Sequence, residues 1–359
     1  MRFEDSLKQN QPLAQMTTLG VGGEARFFAE IDSTASLKEA VSWAGARDIP
    51  LLVLGGGSNL VISDSGWPGL ALRISIRGIK SDTGADKVLL RVGAGEEWDP
   101  LVELTVDRGW AGFECLSGIP GRVGAAPVQN VGAYGQETSE TLLAVEAFDL
   151  STRRLVTLTA AECEFGYRAS RFKHRDRHRF IITEVTYRLA AGGGPAIRYA
   201  ELKRYLDEQG RQEPSLSEVR ESVIRLRKRK AMVIDPADPD SRSVGSFFVN
   251  PVVSLEQFEK VEQRARSLLK DGESVQAFPA PGGQVKLSAA WLIERAGIPR
   301  GYVYGNVGTS TKHSLAIINR GGGSAREIRE LAEIIKARVS ETFDVRLTPE
   351  PVFAGFDEL

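Results

Sequence analysis

The stretch from Ser117 to Gln136, SGIPGRVGAAPVQNVGAYGQ, carries five glycines (Gly118, Gly121, Gly124, Gly132, Gly135), two prolines, no acidic residue and a single charge, Arg122. Glycine lets backbone N–H groups reach left-handed conformations and approach a ligand with no Cβ in the way. Successive N–H groups in such turns form a concave, partly positive surface suited to phosphate oxygens. Taken alone, the stretch fits a diphosphate cradle or a long surface loop with two turns. A second glycine-rich turn, Gly55-Gly56-Gly57-Ser58-Asn59, follows the apolar run Pro50–Leu54. Its Ser58 and Asn59 side chains can hydrogen-bond a phosphate or a ribose. Leu60-Val61-Ile62 then resumes a strand pattern, so this is not the dinucleotide fingerprint that opens a long helix. The other two glycine triplets, starting at Gly192 and Gly321, precede Pro195 and a helix cap and read as connectors.

Other residues have chemistry to offer, each with a plainer reading beside it. Arg168, after Gly166 and Tyr167 at a strand edge, can hold a carboxylate through two parallel hydrogen bonds, or form a surface ion pair. Ser246 sets a hydroxyl before two aromatics in Gly245–Pro251, and by itself reads as a turn or cap serine. Glu350 stands between two prolines, where an edge carboxylate is the plain reading. His174 and His178 have the spacing of a metal pair, but five Lys or Arg residues surround them and no third ligand is near, so no metal is expected. The basic run Arg225–Lys230 suits the end of a helix, where cations meet the negative pole of the dipole, and leaves one cation for a ligand phosphate.

These residues need elements to carry them. Ala25–Glu30 reads as a strand, Ala35–Arg47 as a helix with Leu37, Ala40, Val41 and Ala44 on one face, and Pro50–Leu54 as a buried strand, which together make a β-α-β unit. Val88–Gly93 is a strand, Asp99–Gly109 helical, and Ala144–Leu150, Arg154–Leu158 and Phe180–Leu189 alternate as half-exposed strands do. Ile197–Leu202 reads as a small separate element, and Ser215 with Glu218 caps a helix to Lys230. The polar segment Asp235–Ser243 reads as a domain-boundary linker. Beyond it, Ser254, Ser288 and Ser324 open helices, Ser314–Asn319 is a strand, and Val345–Gly355 is a terminal strand.

At 359 residues, two or three domains are expected. A formal net charge of −1 gives no global field toward nucleic acid or anionic lipid. Two cysteines, Cys115 and Cys163, form no CxxC pair and suit a reducing compartment. The first residues lack a basic stretch followed by an apolar one, and no run of about 18 apolar residues appears. A soluble cytoplasmic protein is the expectation.

The segments Thr17–Gly23 (TTLGVGG), GGGSNLVISD, LSGIPGRVGAAPVQNVGAYGQE, FGYRASRFK, GSFFVNP, WLIERAG, KHSLAIIN and LTPEPVFAG, in this order, resemble the UDP-N-acetylenolpyruvoylglucosamine reductases from about Thr17 to Gly355. The resemblance implies an α+β architecture: a two-subdomain FAD-binding fold of the vanillyl-alcohol-oxidase type plus a C-terminal α+β substrate-binding domain. Its boundaries are expected at 1–80 for the first flavin subdomain, rejoined by 344–359, at 81–234 for the second, and at 235–343 for the substrate domain. It implies FAD and NADPH as cofactors and UDP-N-acetylglucosamine-enolpyruvate as the substrate, reduced to UDP-N-acetylmuramate for peptidoglycan. Flavin contacts are expected at Gly55, Gly56, Gly57, Ser58 and Asn59. In the long loop they fall on Ser117, Gly118, Ile119, Pro120, Gly121, Gly124, Ala125, Gln129, Asn130, Gly132, Ala133, Tyr134 and Gly135.

The same resemblance assigns chemistry. Arg168 and Glu350 match a pair that polarises the substrate carboxylate, Glu350 serving best when protonated, and Ser246 matches the general acid. Tyr134, Tyr167, Tyr199, Lys230, Asn250 and Lys286 match substrate contacts, Tyr199 being the tyrosine with which one subtype closes over the nucleotide sugar. Thr348 and Val249 depart from the family's commoner Glu and Lys, and the 235–243 linker is long. A monomer acting on a small molecule, without nucleic acid, membrane or metal, is expected. The competing readings are another FAD oxidoreductase acting on a sugar or hydroxy acid, a non-catalytic nucleotide-sugar sensor and, resting only on the basic helix end, a nucleic-acid module.

Overall fold

Ser33 and Ser36 cap each other's backbone at the start of helix α1 (Thr34–Gly45), and the expected face of Leu37, Ala40, Val41 and Ala44 is buried. In the computed structural model, which describes residues 3–270 and 272–356, this helix belongs to the first of two compact units. That unit takes the residues up to Gln11, Ala25–Gly57 and Trp67–Val233; the second takes Pro12–Glu24, Ser58–Gly66 and the residues from Ile234 on.

In the first unit α1 crosses between strands Glu24–Ile31 and Leu51–Leu54, which both pair in parallel with Trp67–Ile74. The four-stranded order is Lys8–Pro12, Glu24–Ile31, Trp67–Ile74, Leu51–Leu54. Leu70, Ala71 and Leu72 of the strand with parallel neighbours on both sides are fully buried, as such strands require. The turn Gly55–Gly57 therefore leaves the carboxyl end of a parallel edge strand, the end at which α/β sheets place ligands.

A second, antiparallel sheet runs Arg154–Thr159, Leu142–Asp149, Phe180–Ala191, Lys87–Gly93, Ile79–Thr83, with Trp110–Ala111 pairing on the end of Phe180–Ala191. Helix α2 (Trp98–Asp107) buries Trp98, Leu101, Val102 and Val106 against it. Trp98, Phe113 and Tyr187 form an aromatic knot, Phe113 meeting Tyr187 edge-on at 4.9 Å. Helices α3 (Ala200–Glu208) and α4 (Leu216–Arg229) pack on each other through Leu202, Leu206, Val219, Val223 and Leu226, around Cys115. Ser215 and Glu218 form the expected reciprocal cap of α4.

The second unit holds α5 (Leu255–Ala265), α6 (Ala289–Arg295) and α7 (Ala325–Phe343) over two three-stranded antiparallel sheets. Ser324 and Glu327 cap α7 reciprocally, and Asp64 accepts the N–H groups of Ala325 and Arg326 at 2.8 and 2.9 Å. Asn319 donates to the carbonyls of Leu19 and Gly20 and accepts from Gly321 and Gly323. One amide side chain thus ties the TTLGVGG segment to the glycine triplet, which serves as the connector expected.

Four expectations are corrected. The terminal strand is regular only over Val352–Ala354, pairing in parallel with Leu60–Ile62, because Pro349 and Pro351 remove ladder donors. Ser314–Asn319 is strand only over Ile317–Asn319. The small element after Ile197 is a nine-residue helix, α3, with Leu202, Tyr205 and Leu206 buried. The 235–243 linker is a folded clip: its 3-10 turn Pro239–Ser241 carries Asp240, which accepts from Ser310 Oγ, Thr311 N and Thr311 Oγ1 at 3.0, 2.9 and 2.6 Å.

Candidate active site

In the first unit the loop from Ser117 to Gly135 is held at its base by buried polar side chains. Glu114 accepts from Gly112 N, Gln136 Nε2 and Ala196 N at 2.8, 2.7 and 3.0 Å, and Gln136 Oε1 accepts from Cys115 N at 2.8 Å. Asp99, in the first turn of α2, accepts the Gly118 N–H at 2.6 Å and takes both Nη atoms of Arg220 at 2.6 and 3.0 Å. Burial pushes the Asp99 carboxyl up, but the Arg220 and Gly118 hydrogen bonds outweigh it and hold the group below its usual range.

The glycines are required by close approach. A Cβ on Gly56 would stand 2.7 Å from Gly121 Cα, and one on Gly124 would stand 2.6 Å from Ala94 Cβ. The two glycine-rich segments of this unit therefore meet backbone to backbone. Gly118 lies at φ +70° and Gly121 at φ +129°, which a side chain would strain. Ser117 Oγ donates to Glu114 O, and Pro120, Ile119 and Gly121 line the half-open turn that follows. Arg122, the loop's one charge, is turned inward: its Nη1 donates to Ile74 O and to Ser75 Oγ, the latter at 3.0 Å. The charge read as part of a phosphate cradle instead ties the loop to the end of a strand.

Tyr134 and Gly135 are the two-residue tip of a hairpin between Gly132–Ala133 and Gln136–Glu137, with φ of +47° and +83°. Such a tip suits a type I′ turn, in which a tyrosine is an unusual occupant. Its ring meets Tyr199 edge-on at 5.4 Å and lies 5.9 Å below the Lys230 ammonium, which pairs with Glu201 at 2.6 Å. Burial raises the proton affinity of both tyrosines, so both hydroxyls stay protonated as donors.

Arg168 is not at a strand edge. Gly166 and Ala169 bond each other's backbone, leaving Tyr167 and Arg168 as another tight tip, Arg168 at φ +54°. Its Nη2 donates to Gly132 O at 2.6 Å, and Asn130 Nδ2 reaches Gly166 O at 3.1 Å. Asn130, at φ +48°, also binds Glu137 and Ser139 N, while Gln129 accepts from Lys173 at 3.2 Å. The fold thus gathers Gly132, Tyr134, Tyr167, Arg168, Tyr199 and Lys230 beside one glycine-rich loop, with Ala125 and Ala133 as its small side chains.

In the second unit an irregular ladder sets Ser246 and Glu350. Glu350 N donates to Phe247 O at 2.9 Å and Val249 N to Thr348 O at 3.0 Å. Phe247 and Phe248 are buried, which anchors the half-buried Ser246 between them and Gly245. Asn59 Nδ2 donates to Glu350 O at 3.3 Å and Asn59 O accepts from Val352 N at 3.0 Å, with Ser58 beside it. Asn250 Oδ1 accepts from Ala289 N at 2.9 Å at the start of α6, and Lys286 pairs with Val252 on the middle strand of its sheet.

The reductase of Thermobifida fusca, a UDP-N-acetylenolpyruvoylglucosamine reductase by name, is 48% identical to this chain over 353 residues, 98% of each. The chain belongs to the UDP-N-acetylenolpyruvoylglucosamine reductase family. The reductase of Streptomyces coelicolor is 44% identical over 346 residues, 96% of this chain and 89% of its own. The crystal structure of the reductase from Thermus caldophilus matches with a TM-score of 0.64 at 26% identity, covering 97% of this chain and 98% of that one. Residues 236–354 match the C-terminal domain of the reductase family, and residues 25–159 match the FAD binding domain. Both glycine-rich segments fall within the FAD-binding stretch, whereas Arg168, Tyr199 and the whole of α4 lie outside both matches.

The residues present fit FAD. Backbone packed so closely that no Cβ fits at Gly56 or Gly124 is a surface on which a phosphate can meet N–H groups directly. Sequence reasoning passed over Asp99, Glu114 and Arg220, which shape this loop. A carboxylate inside the apolar run Phe113–Leu116, and arginines seven residues apart beside the apolar face of α4, were the available signals.

Proposed function

We propose that this protein catalyses the NADPH-dependent reduction of UDP-N-acetylglucosamine-enolpyruvate to UDP-N-acetylmuramate, a step toward peptidoglycan, as a cytoplasmic monomer. The observation that carries the reading is identity of 48% across 98% of the chain, which spans the flavin-binding stretch and the reductase-specific C-terminal domain together. In this reading 1–80 and 81–234 hold the cofactor and 235–343 the nucleotide sugar. Bound FAD supplies the hydride route from NADPH to the enolpyruvyl double bond. Gly55–Asn59 and the Ser117–Gly135 loop hold it through backbone N–H groups.

Hydride addition at C3 of the enolpyruvyl group builds negative charge at C2, which spreads into the adjoining carboxylate. Arg168, fixed by Gly132 O, holds that carboxylate and stabilises the charge as it forms. Glu350 polarises the same group. Ser246 delivers the proton to C2, so that one hydride and one proton saturate the double bond. The Ser246 hydroxyl makes no hydrogen bond among the described residues, leaving its proton for a substrate. A hydroxyl is a weak acid, and a strongly basic carbon facing it is what makes the transfer feasible. Tyr134, Tyr167, Tyr199, Lys230, Asn250 and Lys286 bind the UDP-sugar, the cations meeting its diphosphate.

The test is anaerobic and read by visible absorbance. The expected result is a yellow protein that bleaches with NADPH and regains colour on adding UDP-N-acetylglucosamine-enolpyruvate. Bleaching without recovery overturns the substrate assignment, and a protein that binds no FAD overturns the cofactor loops.

A further inference from the structure

Glu201 stands in the first turn of α3 and Lys230 closes the last turn of α4, and the two meet at 2.6 Å. Each charge suits its own helix, an acid at the positive start of α3 and a cation at the negative end of α4. The side chains are still 28% and 32% exposed, and ion pairs so open to water add little stability. What the pair fixes is direction. A lysine ammonium rides on a flexible four-carbon stem. Here the Tyr134 ring lies 5.9 Å below it, and Glu201 Oε2 accepts its hydrogen bond. Among the described residues no other acceptor takes an N–H of Lys230, so its remaining donors are left for a ligand.

Tyr199 is bound up with the same pair. It is the N-cap of α3, two residues before Glu201, and its side chain makes no capping hydrogen bond. Its ring meets Tyr134 edge-on at 5.4 Å. Just before it Arg198 binds Glu140 at 2.8 Å, and after it Leu202, Tyr205 and Leu206 are buried. Glu201 is the polar tether between Tyr199 and that buried stretch. Burial is the chief reason both tyrosines hold their protons tightly, and the Glu201 charge adds to it at each ring.

We propose that Glu201 is a positioning residue for the substrate: it holds the Lys230 ammonium over Tyr134, aimed at a diphosphate, and keeps Tyr199 beside it. The inference rests on assigning Lys230 and Tyr199 to the UDP-sugar, and Glu201 acts through them without touching the ligand. A lone carboxylate at a diphosphate site would repel its ligand. One already bonded to an ammonium has its charge answered, and the other N–H groups serve phosphate oxygens. Glu201 lies between the matched stretches 25–159 and 236–354, so neither family match covers it.

The experiment compares wild type with E201M, E201Q, K230M and the E201M/K230M double variant. It reads KM and kcat for UDP-N-acetylglucosamine-enolpyruvate, the FAD dissociation constant and the melting temperature. E201M is expected to raise KM about tenfold, the loss due to a misaimed charge-assisted hydrogen bond. Its kcat should stay within about twofold, as loss of uniform binding requires, with FAD affinity and melting temperature unchanged. E201Q keeps an accepting oxygen and is expected to recover most of the loss. The double variant should be no worse than K230M, because the two residues act as one unit. Should E201M fail to fold, E201D, which draws the carboxylate back by one methylene, is read in its place with the same direction expected. An unchanged KM overturns the proposal, and so does a lowered one, which would make Glu201 a competitor of the diphosphate. Losses that add in the double variant overturn it too, as does a rise in KM that comes only with weaker FAD binding and a lower melting temperature. A wild-type KM in K230M would instead take Lys230 out of the site. Wild-type flavin that NADPH bleaches and the substrate never recolours is the failure of the proposed reaction, seen before any variant is made.

Discussion

Several side chains of the site stand on left-handed backbone: Asn130, Tyr134 and Arg168 have φ of +48°, +47° and +54°. A non-glycine residue there costs about 1 kcal/mol or more and persists only where surroundings over-determine it. For Arg168 those surroundings are the Gly166–Ala169 turn and the Gly132 carbonyl, which fix the guanidinium in place, as its proposed role requires. Preorganisation of this kind is where electrostatic catalysis gets its advantage. Ser246, proposed above as the proton donor, is different, a half-buried hydroxyl on ordinary backbone. Ser246→Ala is expected to leave flavin reduction by NADPH unchanged and to slow the substrate half-reaction about 10³-fold, the middle of the range for a lost general acid. Stopped-flow absorbance separates the two, and equal loss in both would remove Ser246 from the proton path.

Elements place these groups through contacts that cross long stretches of chain. The clip at 235–243 is held by three donors on one carboxylate, that of Asp240, itself 5% exposed. Asp240→Ala would leave the buried Ser310 hydroxyl unpaired while the Thr311 donors turn to water, and a loss of about 1–3 kcal/mol is expected from the usual cost of one orphaned group. Thermal and urea melting measure it, and an unchanged melt would show that water replaces the carboxylate. Helix α4 works the same way on the first unit, because Arg220 and Asp99 set the Gly118 turn. In both cases a polar side chain far away in sequence decides a loop's shape.

At the scale of the molecule, both cysteines are buried and their thiols are pushed up from 9.0 to about 12, burial being the first cause. The folded pKa is raised, so the unfolded chain loses these protons first, and the contribution to stability is intact below about pH 9 and lost as pH climbs toward 12. Melting temperatures should fall between pH 9 and 11 in wild type and fall less steeply in a Cys115→Ala, Cys163→Ala double variant; parallel curves would contradict the burial. Among the described residues no helix is long and apolar enough to cross a membrane. Much of this protein was legible in its sequence because the information is local. The faces of α1 and α4, the serine caps and the glycines at Gly56 and Gly121 follow from periodicity and from what a Cβ excludes. The family was legible from ordered motifs. Tertiary structure alone decided that Arg122 turns inward, that the terminal strand shrinks to Val352–Ala354, that Asp240 folds a linker, and that Asp99 pairs with Arg220 of α4. Partner choice for a charged side chain depends on groups as far off as the 121 residues between Asp99 and Arg220, and no local pattern encodes which of two like arginines on one helix receives the carboxylate.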